Sequence, residues 1–160
     1  MLAAFVPGLK SFEPIHIDGR AATNQGITAS MTTPFISYNG NDITGLDLKV
    51  NTTDRGLQFT ADVQHIQGFG HNLYHTQLNA IANNNKIDFN LNIDDINGKD
   101  KYNFAGLLTQ PTQGNYTVSL RQDSLLLNYD RWTISANNSL TITKENILAS
   151  NFILDRKSVV

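Results

Sequence analysis

The sequence predicts an all-β fold, and three observations predict it. Apolar and polar residues alternate singly along most of the chain, turn-forming dipeptides punctuate the alternating runs, and amides rather than charges supply the surface polarity. Ile87, Phe89, Leu91 and Ile93 alternate with Asp88, Asn90, Asn92 and Asp94, the pattern of a strand with one dry face and one wet face. The 160 residues include 19 asparagines against 12 Lys+Arg, a composition that favours strands and turns over long helices.

Taken in order, the alternation begins weakly around Ile15 and Ile17 and over residues 35–38. It is clear in Leu46, Leu48 and Val50, and again in Leu57, Phe59, Ala61 and Val63. Residues 73–82 and 102–108 flank the strong run from Ile87 to Ile93. Tyr116, Val118 and Leu120 follow, then residues 125–127, Trp132 with Ile134 and Ala136, Leu140 with Ile142, and residues 148–154. This makes about twelve short strands of about six residues, with starts about 10 to 14 residues apart, as in an antiparallel meander. Asn39-Gly40 and Asn97-Gly98 are expected to form type I′ turns, since both central residues of that turn need positive φ. Asp54-Arg55-Gly56, Gly68-Phe69-Gly70, Asn83-Asn84-Asn85, Gln113-Gly114-Asn115 and Asn137-Asn138 supply the other turns. A sheet of this kind would be about 20 Å wide and about 55 Å long. Open sheets of that strand number curl, split or close.

Composition narrows the function. A net charge of −2, with 16% charged residues, offers no basic footprint for nucleic acid. There is no cysteine for disulfide or thiolate chemistry. No run reaches the roughly 20 apolar residues that span a bilayer. Residues 1–6 are apolar but lack a basic segment and stop at Pro7, too short for a signal peptide. A single β-rich domain over 1–160, cut from a longer protein, is expected.

No constellation supports catalysis or a cofactor. His71 and His75 have a spacing that would suit zinc on a helix, but their surroundings alternate as a strand and no third ligand is near, so two exposed strand histidines are expected. Asp94, Asp95, Asn97 and Asp100 gather oxygens around Gly98 without the spacing of a calcium loop, and a carboxylate-capped hairpin explains the same letters. Nucleophile elbows and phosphate-cradling glycine loops are missing from the sequence, and no carboxylate pair falls in a desolvated stretch. The acceptor patterns beginning at Asn51, Asn115 and Asn137 are expected by chance in so amide-rich a chain. Trp132 is either a core anchor or one wall of a hydrophobic groove.

The C-terminal third carries a resemblance. Leu125, Leu126 and Leu127 lead into Asn128, Trp132, Ile134 and Asn138, and the chain continues through Leu140 and Ile142 to Leu148, Asn151, Phe152 and Leu154. This stretch resembles the repeat region of the TamB-type translocation and assembly modules (AsmA-like) of the bacterial envelope; residues 43–120 are similar only in texture. The resemblance implies an elongated antiparallel sheet curled into a half-pipe, or β-taco, with an apolar inner face. It implies a periplasmic segment of a conduit that shields phospholipid acyl chains between inner and outer membranes. The full-length protein would be anchored in the inner membrane and would act with an outer-membrane barrel partner, through regions not recognisable here. It carries no catalytic residues, cofactor or metal. The expected lipid-lining residues are Leu46, Leu48, Val50, Leu57, Phe59, Ile87, Phe89, Leu91, Val118, Leu120, Trp132 and Ile134. A structural or adhesive module with a sealed core, in the manner of a β-sandwich, requires the same period of two.

Overall fold

The computed structural model describes residues 7–156 apart from 24 and 69. The apolar start at residues 1–6, the centre of the Gly68-Phe69-Gly70 turn and the last four residues of the chain lie outside that range. Thirteen strands make up one antiparallel sheet, and no described residue is helical, so no helix is long and apolar enough to cross a membrane. They are β1 (Leu9–Phe12), β2 (His16–Ala22), β3 (Gly26–Tyr38), β4 (Asn41–Thr53), β5 (Gly56–Gly68), β6 (His71–Asn83) and β7 (Lys86–Asp94). After them come β8 (Asp100–Thr112), β9 (Asn115–Leu127), β10 (Asp130–Ile134), β11 (Ser139–Ile142), β12 (Ile147–Ser150) and β13 (Leu154–Arg156).

The central strands are longer and more regular than the sequence suggests. β3, β4, β5, β6, β8 and β9 each contain 13 residues, and β3 to β7 begin at Gly26, Asn41, Gly56, His71 and Lys86, a constant step of 15. A 13-residue strand is about 43 Å long, twice the expected width. The short expectation fails for a definite reason. Pro34, Gly45, Gln64 and His75 break the alternation, but they form one line across β3 to β6, and pairing resumes beyond it in unchanged register. Thr33 pairs with Leu46 and Phe35 with Thr44; Leu46 pairs with Val63 and Thr44 with His65; Val63 pairs with Thr76 and His65 with Tyr74. Gly45 and His75 have φ of 63° and 44°, so the backbone leaves the ladder at this line and the donor that Pro34 lacks is not needed.

Turn chemistry sets the hairpins. Asn39-Gly40 has φ of 49° and 79°, Asn84-Asn85 47° and 59°, and Asn128-Tyr129 50° and 71°, the double positive φ of type I′ turns. Asn97-Gly98 departs from that expectation: only Gly98, at 75°, has positive φ, and residues 95–99 form a five-residue loop. Asp95 closes it. Its Oδ1 accepts the Asn97 and Lys99 amides at 2.8 and 3.0 Å, and its own amide donates to the Lys99 carbonyl at 2.8 Å. The oxygen cluster around Gly98 is thus loop closure, an Asx-type turn.

The hydrogen-bonded path is β1-β3-β4-β5-β6-β7-β8-β9-β10-β13, and it does not return on itself. Both ends fork. β1 and β2 pair with different halves of β3, while β10 and β11 pair with different halves of β9 and carry β13 and β12 respectively. Between the two halves, residues 121–124 of β9 bulge, since Phe104 pairs with Leu125 but Gly106 with Leu120. Deep burial concentrates beside this fork, at Ile93, Ala105, Leu125, Leu126 and Ile134.

Asn138 fills the gap that the bulge leaves. It is 2% exposed, its Oδ1 accepts the Leu120 amide at 2.7 Å, and its Nδ2 donates to the Leu120 and Ser135 carbonyls at 2.8 and 2.7 Å. A side-chain amide here does the work of a strand's peptide group, pairing both polar groups of Leu120.

Candidate functional site

Residues paired directly across an antiparallel ladder share a face, so register defines the surfaces. One row runs Ile17, Met31, Leu48, Ala61, Leu78, Leu91, Phe104, Leu125 and Trp132, ending opposite Arg156. The next holds Ala29, Val50, Phe59, Ala80, Phe89, Gly106 and Leu120. A third holds Thr52, Leu57, Ala82, Ile87, Leu108, Val118, Leu140 and Ala149. Because side chains two apart along a strand share a face, these rows form one apolar surface.

All twelve residues named from the sequence fall on it. Ile134, two beyond Trp132, is 1% exposed; Leu57 is exposed; the other ten are half-buried. The surface is therefore neither open to water throughout nor packed to the density of a core. Sequence reasoning left out Met31, Leu78, Ala80, Phe104, Leu108 and Leu125, which occupy the same rows. Their signal was the same period of two, blurred by the alanines and by the β9 bulge. Within the second row Phe89 lies against Gly106: a Cβ there would stand 3.0 Å from Phe89 Cζ and 2.5 Å from the Ser119 carbonyl oxygen. An aromatic ring covers a glycine that has no side chain to pack.

The opposite face carries amides and charges over its centre, together with Ile81, Leu107 and the buried Ala105 and Leu126. Asn79, Asn90, Asn92 and Asn103 lie there in adjacent rows, and Asn103 Nδ2 donates to Asn90 Oδ1 at 3.4 Å and to Asn92 Oδ1 at 3.3 Å. Arg121 pairs with Asp88, and Lys49 with Asp47 at 2.8 Å. A cavity of about 340 Å³ opens on the apolar face at the β6–β7 hairpin, lined by Ala82, Ile87, Leu108 and Tyr116 with residues 83–86 above it. A cavity of about 630 Å³ lies across the same hairpin on the opposite face, between Arg55, Lys86, Arg121 and Asp88.

Asp95 Oδ2 accepts the Tyr129 hydroxyl at 2.9 Å, tying the β7–β8 loop to the β9–β10 turn, and Lys99 stands 4.9 Å over the Tyr129 ring. The Lys99 amide, the Tyr129 hydroxyl and the Asn97 amide together hold the Asp95 carboxyl below its ordinary value, and the bond to Asp95 raises that of Tyr129. His71 and His75 are both exposed on β6. Among the described residues no three His, Cys, Asp or Glu side chains are grouped as metal ligands would be. Trp132 is half-buried, and its Nε1 is enclosed without a hydrogen-bond partner among the described residues.

No family model, no curated protein and no solved structure matches this chain.

Proposed function

We propose that this sheet is a segment of a periplasm-spanning lipid conduit, curled into a half-pipe whose apolar face is the inner one and shields phospholipid acyl chains between inner and outer membranes. The observation that carries the reading is the row from Ile17 to Trp132, apolar across nine successive strands of a single sheet, with its side chains half-buried except for exposed Ile17 at one end and buried Leu125 near the other. An acyl chain costs about 0.8 kcal/mol per CH₂ to expose, so a path through water needs a continuous apolar lining rather than a pocket. The constant step of 15 residues suits such a path, because it repeats one cross-section from strand to strand. On this reading the full protein is anchored in the inner membrane and works with an outer-membrane barrel partner, through segments outside this chain.

Leu91→Asp tests the proposal, because Leu91 sits mid-row on a central strand. In an open groove the new carboxylate stays hydrated, and the fold loses about 1 kcal/mol or less. An acyl chain passing that point meets a solvated ion. Native mass spectrometry of the purified chain is expected to find bound phospholipid, reduced at least fivefold in the variant, with a near-normal urea midpoint. A loss of several kcal/mol in stability, the cost of an unpaired buried charge, would instead mean a sealed structural module.

A further inference from the structure

We infer that the two edges of this sheet pair with each other between copies, head to tail, so that a second copy continues the sheet with the same face apolar. Strand polarity carries the argument. Successive strands on the path from β1 to β13 are antiparallel and ten in number, so the two ends run in opposite directions. The branch from β2 through β3 and β9 to β12 also has ten strands, with the same consequence. A copy translated along the sheet therefore presents β2 antiparallel to β12 and β13 without being turned over. With an odd number the same placement would give parallel edges, whose pairing is weaker.

The levels match as well as the directions. β2 spans the rows from Ile17, opposite Met31, to Ala21, opposite Ile27. β13 ends at Arg156 in the Met31 row. β12 carries Ala149 in the row of Thr52, whose hydroxyl accepts the Ile27 amide at 2.9 Å. One edge thus meets the other over the same rows. Both are uncovered among the described residues: Ile17 is 73% exposed and Ile147 71%, and Phe152, Ile153 and Leu154 are exposed beside them. By register Ile17, Ile147 and Leu154 belong to the apolar face, so edge pairing continues that surface and removes them from water.

Guards against pairing are weak. β2, β12 and β13 contain no proline, and Asp18 and Arg20 on β2 are of opposite sign, leaving no net repulsion between copies. Since one patch meets a different patch, the contact is heterologous and propagates, rather than stopping at a symmetric dimer. The inference is independent of what the apolar face carries.

The absence of cysteine makes the test clean. Ile17→Cys and Leu154→Cys proteins are prepared separately, mixed, and treated with a short bifunctional thiol crosslinker whose reach tolerates a small register shift. A heterodimer at least tenfold more abundant than the homodimer from either protein alone is expected. In parallel, sedimentation velocity of the unaltered chain should show mass rising with concentration, and Ile147→Lys should abolish the rise while leaving the β spectrum intact. Homodimers as abundant as heterodimers would mean symmetric edge pairing and overturn the inference. So would a chain that stays monomeric at every concentration, or one that associates without giving the heterodimer.

Discussion

Replacing Asn138 by alanine should be the most costly single amide deletion in this chain, and the cost can be worked from its contacts. The side chain is 2% exposed and makes three hydrogen bonds of 2.7–2.8 Å, two of them to the amide and carbonyl of Leu120. Alanine leaves both groups of Leu120 without a partner at the place where the β9 bulge denies them a strand. Each unsatisfied buried backbone group costs about 1–3 kcal/mol, and water entry would offset part of this, so the loss should be about 2–4 kcal/mol. Asn138→Asp keeps the acceptor for the Leu120 amide but sets a carboxylate against the Leu120 and Ser135 carbonyls, and should cost at least as much. Equilibrium urea denaturation read by circular dichroism is the assay. Asn137→Ala, whose side chain is exposed on the preceding turn, is the control and should stay within about 0.5 kcal/mol. A loss below about 1 kcal/mol for Asn138→Ala would refute the claim that this side chain completes the ladder.

Three other perturbations follow from particular contacts. Gly106→Val drives a branched side chain into the Ser119 carbonyl and the Phe89 ring, and should cost about 2–3 kcal/mol in the same denaturation assay. His75→Val places a β-branched residue at φ 44° and should cost about 1–2 kcal/mol, whereas His75→Asn, tolerant of that region, and His71→Val should be nearly neutral. Asp95 has a folded pKa below its ordinary 3.8, so its contribution is fully present above that value and is lost as pH falls through the lower folded one. Asp95→Asn should therefore lower the urea midpoint at pH 7 and converge with the unaltered chain at the acid end; a gap that persists there would mean the loop is not held by the carboxylate.

The period of two made the face legible before any coordinates, because side-chain direction in a strand follows from backbone geometry alone. Leu46, Phe59, Phe89 and Val118 fall on one surface for that reason. Strand length was not legible in the same way. A proline, a glycine, a glutamine and a histidine at Pro34, Gly45, Gln64 and His75 read as interruptions one strand at a time, and only their alignment across four strands shows that the ladder survives them. Asn97-Gly98 misled for a related reason. The dipeptide permits a type I′ turn, but Asp95 two residues earlier offers the backbone a competing acceptor and wins. The role of Asn138 lay further out of reach, since it depends on a bulge in β9 and a fork after β10 that no local pattern announces.

These features bear on how so thin a fold persists. A single layer cannot bury its apolar face against a second sheet, and among the described residues most of the buried apolar side chains gather at the β9 fork, with Ala80 on β6 the exception. The remaining strands depend on backbone pairing, on glycine covered by an aromatic ring, and on amide bonds across the opposite face, each a short-range device that works without a second layer. Stability in such a sheet adds up from neighbour to neighbour, as in repeat proteins, so losses at the edges should be local while losses at the fork should be global. Hydrogen exchange would separate the two. The β2 amides should exchange by local opening, and those of β8 and β9 should approach the global limit. If protection were uniform from β2 to β9, the sheet would be a single cooperative unit and the argument for neighbour-by-neighbour stability would fail.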